Sequence, residues 1–531
     1  MIFKLARTAR RLLSRYPANS NVAPLRQALL STVRPATAAS TTTIAVQGVE
    51  DPFFFGLFSA LVDDLRARAG IRAELVQVRS INGAIGIGRR AAFERSWINA
   101  GPVNGQWARA HRELVGPVAY RSQAPLLRWP KRDDRRATQL WRTLQQSERP
   151  DLLEIDGILV GDLLIDSYLR FRPAPRFDVR DPFVLALVRQ ALRDLRLARA
   201  YFERRRPALY LSTYSTYIEH GIPARVAIAA GVPVRVYGNL NIFGKKLSRE
   251  NAYHTPETSG YKASFEQLPD KPAALAAARN QLEARLAGRI DTATGYMRVS
   301  AYARSDEPVP EVRGAVVIFL HDFYDSPHIY HDLFFPDFWT WVRFTIDTLE
   351  AAGTPYWLKP HPNQIGASSD ALAQLKQAHP HLRLLSPRIT NAQLAEAGML
   401  CGVTVYGTVA HELAYLGVPS IACARHPHHS FDFCRTAKSL EEYAAMLRSP
   451  GVKSLPDAPM REQALAFYYM HNLEGSANKL AFRPAFTRFW QICNAADATP
   501  QQMIEQLQQM RTTPWWQEHL HSIEQDIRHA G

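Results

Sequence analysis

Short β-branched runs alternate with amphipathic stretches along most of this chain, and that alternation restricts the fold more than any other feature. Thr43–Val46 leads through Gln47-Gly48-Val49-Glu50-Asp51-Pro52 into the helically spaced Phe53–Arg68, and Ile71–Val78 repeats the strand pattern. Helix Pro182–Arg206, strand Ala208–Ser212, helix Pro223–Ala230 and strand Val232–Tyr237 continue it. A second series runs through Gly314–Leu320, Trp339–Ala352, Pro355–Leu358, Leu382–Leu385, Thr390–Ala397, Met399–Thr404 and Ser420–Ala424. Such alternation builds parallel sheets covered by helices, with ligands at the carboxyl ends of the strands. With 531 residues, two units of this α/β kind are expected. The expected divisions are a basic segment and linker over 1–40, a first domain over 41–300, a second over 301–483, and C-terminal helices over 484–531.

A formal charge of +15 calls for an anionic partner: nucleic acid, an acidic membrane face or a phosphorylated small molecule. Nucleic acid is disfavoured, because no aromatic residues interleave with the basic runs Lys131–Arg136 and Arg204–Arg206. No apolar run approaches the roughly 18 residues of a membrane span. The acid-free start carries Lys4, Arg7, Arg10, Arg11 and Arg15 opposite Ile2, Leu5, Ala6, Ala9, Leu12, Leu13 and Tyr16. That face pattern over residues 1–16 suits an anionic membrane surface as well as it suits packing on the domain. Basic residues interrupt this stretch throughout, so it does not read as a secretory signal.

The second half carries the chemical signal. Strand Pro355–Leu358 delivers Lys359-Pro360-His361-Pro362 at its carboxyl end, where two prolines stiffen the backbone and present a cationic grip. Gly407-Thr408-Val409-Ala410-His411-Glu412 opens a helix after the strand Met399–Thr404, offering N–H groups and a hydroxyl suited to phosphate. Glu412, four residues past Thr408, shares its helical face and is placed to hold ribose hydroxyls; the competing account is a buried carboxylate that caps a loop. His321 and Asp322 follow the strand Gly314–Leu320 in a loop that also holds Asp325, His328 and His331. As a set these could ligate a divalent metal for hydrolysis or phosphoryl transfer. The aromatic residues filling the same segment favour a substrate loop instead, so no metal and no cofactor is expected.

In the first half, the carboxyl-end loops offer Asp51, Glu219, His220 and Asp162 as candidate bases for an acceptor hydroxyl. For each, a capping or structural role is the alternative. Gly83-x-x-Gly86-x-Gly88 departs from the dinucleotide fingerprint, so NAD is not expected.

The combination Lys359-Pro360-His361-Pro362 with Gly407-Thr408-x-x-His411-Glu412-x-x-x-x-Gly417-x-Pro419 resembles the second domain of GT-B glycosyltransferases. Within that class it is most similar to the bacterial capsule and lipopolysaccharide enzymes with a His-Pro motif, such as Kdo transferases and polysialyltransferases. The resemblance implies two Rossmann-like domains facing a central cleft, and a C-terminal tail that crosses back to the first, with dimerisation or membrane contact as its alternatives. It implies a nucleotide-sugar donor, CMP-linked by preference, bound by His361, Thr408 and Glu412, and a glycan or glycolipid acceptor. It also implies transfer without a metal, in the bacterial cytoplasm or peripherally on the inner membrane. The single hydroxyl at Gly407-Thr408 departs from the serine pair of sialyl enzymes. A GT-B-shaped nucleotide-sugar epimerase is the remaining alternative.

Overall fold

A computed structural model describes residues 22–34, 41–49, 51–78, 105–121, 131–172, 174–239, 242–289, 302–361, 366–495 and 497–530. The basic segment 1–16 and Pro362 lie outside the described residues.

The first sheet is built on β1 (Thr43–Gly48), whose last five residues are buried. β2 (Arg72–Gln77) and β3 (Val118–Arg121) add on one side, and β6 (Tyr210–Ser212), β7 (Val234–Val236) and β8 (Lys245–Leu247) on the other. All pairings are parallel except the β7–β8 edge. A short antiparallel hairpin, β4 (Glu154–Ile155) and β5 (Ile158–Leu159), stands apart and turns through Asp156 and Gly157, both at positive φ. Helix Pro52–Ala69 follows β1. Asp51 caps it, Pro52 starts it without needing an N–H, and Gly70 ends it at φ 62°.

The second sheet centres on β9 (Val316–Phe319). β10 (Tyr356–Lys359) pairs on one side, and β11 (Cys401–Val403), β12 (Ser420–Ala422) and β13 (Arg435–Thr436) extend the other, all parallel. Both sheets are buried on both faces, as parallel sheets must be. The expected strand Leu382–Leu385 reduces to one bridge from Leu384 to Leu358.

Three further differences from expectation have local causes. Glu219 and His220 lie in the first turn of helix Tyr217–Ala229, not in a loop before Pro223, because Ser167 Oγ accepts the Ile218 N–H and fixes an earlier start. Helices Tyr261–Glu266 and Lys271–Leu286 pack with Phe433, Leu465, Phe467 and Tyr468, so the second core begins well before residue 301. The C-terminal set opens at Ala477 with helix Ala477–Asn494, followed by Pro500–Arg511 and Pro514–Ala530.

These three helices cross back to the first domain and finish its core. Phe486 and Phe489 pack on Phe53 at 5.4 and 5.3 Å, and Trp516 Nε1 donates to Asp64 Oδ2 at 2.8 Å. Arg511 pairs with Asp63 and Asp64, and Arg235 with Asp526. The domains also meet directly. Phe177 N–H donates to Asp337 Oδ2 at 2.7 Å, and Thr255 Oγ1 to the Ile329 carbonyl at 2.9 Å. No helix among the described residues is long and apolar enough to cross a membrane.

Candidate active site

In the second sheet the chain steps from β9 to β10 on one side and then to β11 on the other. The carboxyl ends of these three strands therefore flank a switch point, the standard position for a ligand in an open α/β sheet. A cavity of about 290 Å³ opens there, lined by Phe319 at the end of β9 and His321 beyond it, Lys359 at the end of β10 and His361 beyond it, and Thr404, Gly407 and Thr408 after β11. Tyr302, Tyr330, Asn391 and Glu412 complete the polar lining.

Lys359 is only 6% exposed, and burial pulls its ammonium down to about 8 against the opposing charge of Glu412. Its Nζ donates to Asn391 Oδ1 at 3.0 Å, and Asn391 Nδ2 donates to Glu412 Oε2 at 2.7 Å. Tyr302 donates to the other carboxylate oxygen at 2.9 Å. Burial raises the Glu412 carboxyl, with Arg285, Asn391 and Tyr302 opposing. Among the described residues, the ammonium has an amide for its direct partner and no carboxylate within salt-bridge distance. Sequence reasoning found the lysine and the glutamate but missed Asn391 and Tyr302, which join them.

His321 stacks on Phe338 and lies 3.1 Å from Thr404 Oγ1. Burial and the neighbouring His361 pull its pKa down to about 3, so it acts as a neutral ring. Burial also lowers His361, opposed by Asp322. Asp322 does not line the cavity; its Oδ1 accepts from Tyr324 N–H and Ser368 Oγ. Gly407 N–H donates to Thr404 Oγ1 at 3.1 Å, and a Cβ at Gly407 would stand 2.6 Å from that oxygen, which reserves the position for glycine.

Two expectations for this turn are corrected. Helix Val409–Tyr415 has 7 residues, and the Gly407 N–H is already engaged, so the helix end offers less to an anion than the sequence suggested. The Thr408 hydroxyl, exposed and without a capping bond, remains available. His411 faces away. Two residues past the cavity-lining Val409 is a turn of roughly 200°, and His411 is buried against Phe467 and Tyr468.

A larger cavity of about 630 Å³ lies between the domains. The first domain contributes Arg149, Asp151, Asp162 and Tyr253; the second contributes His328, Tyr330, His331, Asp332, Arg425 and Lys438. Segment 328–331 straddles the two cavities, and Tyr330 lines both. His328 Nδ1 lies 2.7 Å from Asp166 Oδ1 across the domain boundary, with both side chains buried. Burial draws the imidazole down, but Asp166, helped by Asp162 and Asp151, more than offsets this and raises it. This pairing was also missed from sequence.

The five candidate metal ligands do not converge. His321 meets Thr404, Asp322 meets Ser368, and His328 meets Asp166. The groups of metal-type ligands that do form among the described residues are elsewhere, at His426, His428 and Cys434 and at Glu350, His379 and His381. The rings of His426 and His428 stack at 3.8 Å, so their in-plane lone pairs run side by side.

The first-domain candidates are scattered. Asp51 Oδ1 accepts from the N–H groups of Phe53 and Phe54, and burial raises its carboxyl. Glu219 lies 3.1 Å from its neighbour His220, whose other ring nitrogen meets Thr213 Oγ1 and Gln47 Oε1. Asp162 lines the interdomain cavity but is held by Arg225 at 2.5 and 2.6 Å and by Tyr253 at 2.7 Å. Arg225 and these hydrogen bonds outweigh the opposing effect of burial and lower its carboxyl.

Two Rossmann-like domains facing a cleft, with C-terminal helices returned to the first domain, define the GT-B architecture. No protein family profile matches the chain, and no curated protein matches it in sequence. Solved structures that align with it include MnaA from S. aureus in complex with UDP, at 8% identity over 85% of this chain and 97% of that one, with a TM-score of 0.26. A UDP-N-acetylglucosamine 2-epimerase aligns at 10% identity over 83% and 99%, TM-score 0.18. A UGT transferase from Siraitia grosvenorii in complex with UDP aligns at 10% over 89% and 100%, TM-score 0.18. Superpositions this loose carry no weight for function.

Proposed function

We propose that this protein is a glycosyltransferase that binds a nucleotide sugar in the 290 Å³ cavity and transfers the sugar to a glycan hydroxyl. The observation that carries this reading is Lys359, a buried ammonium whose direct partner is the neutral Asn391. A buried cation that touches no carboxylate, and feels Glu412 only across Asn391, is costly, and an anion docked in the cavity offsets that cost. The donor phosphate supplies that anion. His361 and the Thr408 hydroxyl add hydrogen bonds to it, and together the three offset the charge that builds on the leaving phosphate, so the reading needs no metal. Glu412 keeps lone pairs free for ribose hydroxyls, with its carboxylate aimed by Tyr302 and Asn391.

CMP is the nucleotide favoured by the His-Pro resemblance; UDP, GDP and CDP are its competitors. A thermal-shift panel of the four on wild type and Lys359→Met tests the site. One nucleotide should raise the wild-type Tm and not the variant's. Equal shifts in both would remove the donor assignment. Release of free nucleotide only when an acceptor glycan is added marks transfer, whereas an epimerised nucleotide sugar formed without acceptor would replace this reading. Attachment to an anionic membrane through residues 1–16 belongs to the same proposal, and co-sedimentation with anionic vesicles tests it.

A further inference from the structure

A buried ammonium and a buried carboxylate that share one small cavity are expected to close on each other. Elsewhere in this chain buried charges do so: Arg225 meets Asp162 at 2.5 Å, and Arg235 meets Asp526 at 2.5 Å. Lys359 and Glu412 behave differently. They are 6% and 2% exposed and near enough for each to act on the other's charge, yet the Asn391 carboxamide stands between them. Its Oδ1 accepts from Lys359 Nζ at 3.0 Å, and its Nδ2 donates to Glu412 Oε2 at 2.7 Å.

The chemistry of the two ends restricts what can fill that place. An ammonium has donors and no acceptor, and an ionised carboxylate has acceptors and no donor, so the group between them must accept on one side and donate on the other. A carboxamide does both without charge. An aspartate there would neutralise the lysine and set two carboxylates together, and an aliphatic side chain would satisfy neither end.

The amide is also held firmly. Asn391 opens the helix Asn391–Glu396, whose cap Thr390 and partner Gln393 bond each other reciprocally and are 3% and 5% exposed. Gln393 Oε1 accepts from the Ser305 N–H at 3.1 Å, and its Nε2 donates to the Ser305 carbonyl at 2.9 Å. That link pins the segment carrying Tyr302, whose hydroxyl donates to Glu412 Oε1 at 2.9 Å. Asn391 and Tyr302 thus reach Glu412 from two elements stitched together behind the cavity.

We propose that Asn391 is a positioning residue for the donor: its carboxamide keeps the Lys359 ammonium and the Glu412 carboxylate from pairing, so that both stay open to one ligand that brings an anion to the first and hydroxyls to the second. This rests on the transferase reading above. Oδ1 takes one of the three ammonium N–H groups and leaves the others for phosphate oxygens, while each Glu412 oxygen keeps a lone pair for a hydroxyl. The other titratable or charged groups around the pair are His361 and His321 beside Lys359, Tyr302, and Arg285 near Glu412. Burial opposes the Glu412 charge, and Arg285 offsets this more than Lys359 does, which leaves the ammonium to the ligand.

The test uses the full chain, with inorganic pyrophosphate and the nucleotides CMP, UDP, GDP and CDP as probes. In the first arm, carbon NMR of labelled lysine follows the Lys359 Cε signal, assigned by its loss in Lys359→Met, through a pH titration without ligand. It should titrate at about 8 in wild type and about one to three pH units higher in Asn391→Asp and Asn391→Leu, two variants of different chemistry so that one reports if the other misfolds. An unchanged titration in a folded variant would overturn the proposal. In the second arm, calorimetry at pH 7 should show pyrophosphate, and the nucleotide that wild type binds, weakened about 10–100-fold by Asn391→Asp. Equal pyrophosphate affinity in the two proteins, or none in wild type, would overturn it as well. Asn391→Gln keeps both ends of the amide and should lose less and retain the wild-type lysine titration; a loss as large as that of Asn391→Asp would make the role one of shape and sink the idea. Failure of the donor reading is distinct: no nucleotide binds wild type, while pyrophosphate and the NMR arm still decide the role of Asn391.

Discussion

At the carboxyl ends of β1 and β6 the polar side chains close on one another, whereas at the ends of β9, β10 and β11 they stop short and leave a cavity. Gln47 Oε1 accepts from the Thr213 N–H and lies 3.2 Å from His220 Nδ1, Glu219 meets His220, and Asp51 is spent on a helix end. On the other side Lys359, His361, Thr408 and Glu412 line open space. Both positions are switch points of parallel sheets, so topology alone does not make a site. What distinguishes them is whether the polar side chains turn on one another or line open space.

The sharpest way to break this contrast lies at the edge between the two regions. Asp162→Ala strips the buried Arg225 of its bidentate partner and should cost about 3–5 kcal/mol in urea unfolding. A variant of wild-type stability would mean that Asp162 is not spent on Arg225 and is free for chemistry. Next in size, Lys359→Met should weaken nucleotide binding about 10–100-fold by calorimetry without lowering Tm, because it removes a buried charge that no carboxylate of the fold contacts. A Tm that falls instead would place Lys359 among the closed, structural groups.

The same lysine gives a pH test with a definite sign. Its folded pKa of about 8 lies below the ordinary 10.5, so between these values the unfolded chain binds more protons and folding stability rises with pH relative to Lys359→Met. Nucleotide affinity runs the other way. Above about pH 8 the ammonium must first regain its proton, so binding weakens and takes up protons, measurable by calorimetry in buffers of different ionisation heat. The smallest effect belongs to the first domain: Asp51→Ala should cost about 1 kcal/mol as a lost cap and leave turnover unchanged. A large loss of turnover at wild-type stability would restore Asp51 as a base.

The central strands and their carboxyl-end loops, with the positions of Lys359, His361 and Thr408 in them, follow short local patterns, whereas the outer strands β3, β8 and β13 were not read and Leu382–Leu385 formed a single bridge. Lys359 ends β10, and His361 follows it across Pro360. The joins were not legible. Asn391 links Lys359 to Glu412, and Asp166 meets His328, between residues far apart in sequence that carry no mark of each other. His411 was misplaced because its side of a short helix is set by Phe467, which arrives from a distant helix. Helix Lys271–Leu286 was read as a helix correctly, yet its alanine-rich faces gave no sign of which core it would join.

The return of the C-terminal helices sets the order in which the two halves can be finished during synthesis. Helix Pro52–Ala69 leaves the ribosome early with Phe53 and its neighbours, but Phe486, Phe489 and Trp516, which cover them, are translated last. The second half has all its strands by Thr436 and can close first. The nascent first half must carry an uncovered apolar helix through most of translation, a burden for chaperones, and a chain stopped short of Trp516 loses the domain it began with before the one it ended on.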